Sequence, residues 1–119
     1  MLAKSLSACG EILAGDKTIL RELLHPSRDP ATIRYSLAQA KLLSCTASLP
    51  HRLKTSEVYY FISGSGRMHV NGDTTEVGPD QAVYVPPGAE QNVENTGTDD
   101  LVFLCIVDPA WKAEDEEVL

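Results

Sequence analysis

Nowhere in the chain do about 18 apolar residues run together, so no membrane-spanning helix is encoded. The N-terminal stretch "MLAKSLSACGEILAGDK" also lacks the unbroken apolar centre and cleavage pattern of a secretory leader. Paired cysteines are missing: Cys9, Cys45 and Cys105 are odd in number and widely spaced, with no CxxC pair for zinc or thiol exchange. Free thiols in a reducing compartment are expected, which places the protein in the cytoplasm. Positive charge is scarce, with 10 Lys and Arg against 17 Asp and Glu and a formal net charge of -7. Without a basic stripe the chain is a poor ligand for phosphates, which excludes a nucleic-acid partner. Repeats and low-complexity linkers are absent, and 119 residues make one domain able to bury its own core.

What is present is a rhythm of short β-prone runs. From about residue 33 onward, "RYSLAQAKLL", "EVYYFIS", "RMHV", "TTEV", "AVYV", "QNVEN" and "LVFLCIV" alternate with turn signals at "GSG", "NGD", "GPD", "PPG" and "NTGTDD". Asn71-Gly72 is the strongest of these signals, because a type I′ turn requires positive φ at both central residues. An antiparallel all-β sandwich or barrel follows. Residues 5 to 14 could form a short helix that Gly10 weakens. His25 precedes Pro26 and reads as an extended loop residue. Residues 112 to 119 contribute -3 of the net charge and read as a solvated acidic tail.

Strand parity assigns faces. In "EVYYFIS", Glu57, Tyr59, Phe61 and Ser63 share one side, and Val58, Tyr60 and Ile62 the other. A hairpin turning at Ser65 and Gly66 would pair Ser63 with Met68, giving Met68 and Val70 the face of Glu57 and turning His69 outward. "LVFLCIV" is apolar throughout, so its outer face needs a cover, and a second copy in a homodimer is the expected one.

His51, Glu57 six residues on and Gly64 seven further on resemble the first motif of the cupin family, G(X)5HXH(X)3-4E(X)6G. In "DQAVYVPPGAEQNVEN", Pro86, Gly88 and Asn95 fit the second motif, G(X)5PXG(X)2H(X)3N. The chain is thus similar to small single-domain conserved-barrel cupins (the cupin 2 type), including members described as mannose-6-phosphate isomerase-like. The departures are specific. Ser44 and Cys45 lie where the first Gly is sought, Asp80 opens the second motif, Leu53 replaces the second His and Gln91 the third.

The resemblance implies a double-stranded β-helix (jelly-roll) barrel over residues 33 to 111. An N-terminal extension, 1 to 32, would supply strands or a short helix. It implies a divalent ion (Mn, Fe, Ni or Zn) on His51, Glu57 and Gln91, with a small polar metabolite, a sugar or a carboxylate, in the barrel. Tyr59, Phe61, Met68 and Gln39 are expected to meet that ligand, and Arg52 and Lys54 to form a basic rim. Isomerase- or lyase-like catalysis is one reading; a non-catalytic binding or regulatory module without metal is the other. Without a metal, the same three polar residues would form a hydrogen-bonded interior network.

Overall fold

The computed structural model describes residues 1–119. Its strands are β1 (Glu11–Leu13), β2 (Ile19–Leu24), β3 (Ser36–Leu42), β4 (His51–Leu53), β5 (Ser56–Ser63), β6 (Gly66–Val70), β7 (Asp73–Val77), β8 (Ala82–Val85), β9 (Gln91–Asn95), β10 (Leu101–Asp108) and β11 (Glu116–Val118). They build two antiparallel sheets, one ordered β1-β2-β3-β10-β5-β8 and the other β11-β4-β9-β6-β7. This is the expected all-β jelly-roll barrel. No helix is long and apolar enough to cross a membrane.

Alternation fills the space between the sheets. In β3, Ser36, Ala38, Ala40 and Leu42 are buried while Leu37, Gln39 and Lys41 turn outward. The core joins Leu42, Phe61, Leu101 and Phe103 of one sheet to Met68, Val77 and Val93 of the other. Tyr59, Phe61 and Phe103 cluster with ring centroids 5.2 to 6.1 Å apart. Burying Phe61, Phe103 and Met68 contributes roughly 1.5–3 kcal/mol each by apolar area removed from water.

Asn71 and Gly72 adopt φ of 49° and 85°, the left-handed pair that closes the β6–β7 hairpin as the sequence suggests. "GSG" acts differently from the expected hairpin turn. β5 pairs with β10 and β8, whereas β6 pairs with β7 and β9, so the chain crosses from one sheet to the other at Gly64–Gly66. Ser63 therefore does not pair with Met68. A register shift opposite Val102 and Phe103 also resets the alternation, leaving Ser63 exposed rather than on the face of Glu57. Met68 reaches the interior from the facing sheet, and His69 points outward to Thr74 Oγ1 and Glu94 Oε1 at 2.9 and 3.2 Å.

The ends of the chain differ from expectation. Residues 5 to 14 form no helix beyond a 3-10 turn at Leu6–Ala8, because Glu11–Leu13 is drawn into pairing with β2. The acidic C-terminus is not simply a solvated tail: Glu116–Val118 completes the second sheet against β4. His25 is buried, its Nδ1 accepting from the Ser27 backbone N–H (3.1 Å), so Nε2–H donates to the Trp111 carbonyl (2.8 Å) and ties the two ends together.

Candidate functional site

β5 and β10 run side by side, and their inward residues change character along the barrel axis. Leu101, Phe103, Phe61 and Tyr59 plug one end. Two residues further along each strand, Cys105 and Glu57 open onto a chamber of about 570 Å³ at the other end. His51 and Leu53 enter it from β4, Tyr59 and Phe103 form its floor, and the β1–β2 turn brings Asp16 to its wall.

Glu57 is 6% exposed, and its Oε1 has no hydrogen-bond partner. Burial pushes its carboxyl up to about 8. Gln91 and Cys105 beside it act the other way, while the charges of Asp16 and Glu116 add to the rise. Glu57 is therefore mostly protonated near neutrality and able to donate. Burial, then the neighbouring Glu57, also raises the Cys105 thiol well above its usual range, so this side chain stays a thiol and not a nucleophile. Tyr59 is raised in the same way by burial and then by Glu57, and keeps its phenolic proton.

His51 Nδ1 lies 2.8 Å from the Leu49 carbonyl, to which its N–H donates, and this orients the ring so that Nε2 points the other way. Nε2 faces Asp16 Oδ2 at 3.7 Å. Asp16 is held by the fold: its Oδ1 accepts from the Thr18 N–H (3.1 Å) and hydroxyl (2.7 Å), and its carbonyl accepts from Leu49 N–H (2.8 Å). Gln91 is buried behind Tyr59, whose hydroxyl donates to Gln91 Oε1 at 2.5 Å, and Gln91 Nε2 is left without a partner.

Residues 44–107 match the Cupin domain family. The chain belongs to the cupin superfamily. An uncharacterized protein of Methanocaldococcus jannaschii is 36% identical over 105 residues, covering 87% of this chain and 83% of the relative. An oxalate-binding protein of Thermotoga maritima is 33% identical over 51 residues, 43% of this chain and 42% of that protein. The crystal structure of a predicted oxalate decarboxylase from Thermotoga maritima superposes with a TM-score of 0.80 at 21% identity, over 91% of this cupin and 99% of that chain. At that identity it speaks for the fold alone. The finer likeness to mannose-6-phosphate isomerase-like members has no support in these relationships.

The residues of this cupin fit the implied metal ion poorly as they are arranged. Leu53 supplies no donor, and the Gln91 carbonyl is engaged by Tyr59, so its amide presents N–H groups, which cannot ligate. No three His, Cys, Asp or Glu side chains are arranged to hold a metal ion. His51 Nε2 and Glu57 remain as donors from the expected set.

Several expected ligand contacts also move. Tyr59 lines the chamber, but Phe61 and Met68 are sealed core residues at the plugged end. Gln39 lies on the outer face of β3, opposite Leu104 of β10, because its neighbours Ala38 and Ala40 take the inward places. Arg52 points outward between His51 and Leu53 and meets Glu90 at 3.7 Å, and neither it nor Lys54 borders the chamber. Asp16, Cys105 and Glu116 line the chamber without any motif in the sequence that marks them. Parity from Phe103 could have placed Cys105 inward, but nothing local shows that the Asp16 turn folds over the barrel mouth.

Proposed function

We propose that this cupin binds a small polar metabolite in the chamber through side chains, with Glu57 and His51 as its principal polar contacts. The observation that carries this reading is a chamber of about 570 Å³ lined by Glu57, whose buried Oε1 has no hydrogen-bond partner. A buried polar atom left unpaired costs about 1–3 kcal/mol, a cost that a hydrogen-bonding ligand relieves. The chamber volume falls within the range of small-molecule sites. A protonated carboxyl and an imidazole in one chamber are also the equipment for isomerase- or lyase-type proton transfer. Without turnover, the same pair makes a binding or regulatory module.

A divalent ion on His51, Glu57 and Gln91 is the second reading. The anchored His51 ring, with Nδ1 on a backbone carbonyl and Nε2 turned inward, favours it. The Gln91 amide would have to turn over to ligate, exchanging its acceptor contact with Tyr59. Elemental analysis of protein purified without chelator separates the readings. The metabolite reading predicts far less than one metal per chain. Near-stoichiometric metal that disappears in His51→Ala would replace it with the metal reading.

The apolar outer face of β5, β8 and β10, exposed at Tyr60, Ile62 and Tyr84, supports a homodimer, and the free thiols support a cytoplasmic setting.

A further inference from the structure

Acidic side chains outnumber basic ones around the chamber. Four carboxyls line it, Asp16, Glu22, Glu57 and Glu116, against the two cations Lys4 and Arg28. Both cations are already engaged: Lys4 Nζ with Asp29 Oδ1 at 2.9 Å, and Arg28 with Glu22 Oε1 at 2.7 Å and Asp29 Oδ2 at 3.5 Å. Glu22 is neutralised in the same contact. What remains around the chamber is therefore Asp16 Oδ2, the Glu116 carboxylate, His51 Nε2 and the carboxyl of Glu57, which keeps its proton near neutrality and so adds an acceptor oxygen but no charge. Asp16 Oδ2 lies beyond hydrogen-bonding distance of His51, and Glu116 takes one bond, from Trp111 Nε1 at 3.1 Å. The aromatic residues Tyr59, Phe103 and Trp111 also line this space. Acceptors and aromatic faces together suit a cationic donor, whereas an incoming carboxylate finds no free positive group.

Building on the metabolite-binding reading, we infer that the ligand carries a protonated amine or guanidinium group, seated against the Asp16 carboxylate with Glu57 as a further hydrogen-bonding partner. Asp16 is then a specificity-determining residue supplied by the N-terminal hairpin. The turn is preset for this, with the Ala14 N–H on the Thr18 carbonyl (2.8 Å), the Lys17 N–H on the Ala14 carbonyl (2.9 Å) and Lys17 in the left-handed region at φ 77°. An anionic ligand of the kind in the names of the oxalate proteins would be opposed by the carboxylates of Asp16 and Glu116.

Trp111, the one tryptophan, borders the chamber and reports on its occupancy. The native protein is titrated with putrescine, agmatine, oxalate, glucose and manganese chloride, reading Trp111 emission and Tm. Putrescine or agmatine should bind saturably and oxalate should not. Asp16→Asn, which keeps an oxygen for Thr18, should weaken the amine by about tenfold or more, and Glu116→Gln should weaken it as well. Glu117→Gln, on an exposed residue outside the chamber, should leave the affinity unchanged and so separates specific binding from attraction to an acidic surface. An amine response equal in all four proteins, or none, overturns the inference. Saturable binding of oxalate or glucose in place of the amines overturns it while leaving the metabolite reading intact. A response to manganese alone overturns both in favour of the metal reading.

Discussion

Glu57 shows how burial gives one side chain both a cost and a use. With its carboxyl raised from 4.5 to about 8, the folded protein keeps a proton that the unfolded chain releases between those values. Stability contributed by the neutral form is complete below about pH 4.5, declines as pH rises and is lost by about pH 8, with a slope of up to about 1.4 kcal/mol per pH unit. Glu57→Gln should flatten that profile and match or exceed the wild type at pH 8, as chemical denaturation across the pH range would show. An unchanged slope would mean that Glu57 is ionised in the folded state. That Glu57 and His51 turn inward is legible in the sequence because motif spacing counts residues, and parity keeps Glu57 and Tyr59 on one side. Gln39 is not legible, since nothing local says which of two alternating sets in "SLAQAKL" faces in. The two missing motif glycines have a physical trace: Cys45 and Asp80 stand there at φ 63° and 68°, the left-handed region that glycine adopts without strain.

At the scale of elements, "GSG" has the largest consequence. Its glycines look like a hairpin turn, but they let the chain pass between sheets where strands crowd it. A Cβ on Gly64, at φ +93°, would sit 2.6 Å from the Asp100 carbonyl oxygen and 2.9 Å from Leu101 Cα. Gly64→Ala should therefore cost about 2 kcal/mol or more, since backbone on both sides has to move. Equilibrium unfolding measures this, and a loss below about 0.5 kcal/mol would contradict the packing described. Sequence alone cannot separate the two roles, because a turn and a sheet crossover both ask for glycine. The N-terminal hairpin and β11 are hidden for a related reason. Their short runs gain strand structure by pairing with β2 and β4, a tertiary effect that local propensity does not carry.

At the scale of the whole molecule, the barrel has a plugged half, a hollow half and one apolar outer face. Tyr84 is 62% exposed, and Val58, Tyr60, Ile62, Leu104 and Ile106 continue the same surface. Light scattering should find a dimer in solution, and Tyr84→Glu with Leu104→Glu should give a folded monomer; a monomeric wild type would remove the second copy as the cover. The hollow half bears the functional account, in which side chains rather than a metal hold the ligand. Its most direct test is the Tm response of exhaustively chelated protein to a panel of small polar metabolites that includes amines. The account predicts that the stripped protein still gains stability from at least one compound and that Glu57→Ala loses this gain. If no compound shifts the stripped protein and Mn, Fe, Ni or Zn restores a response, the account is contradicted.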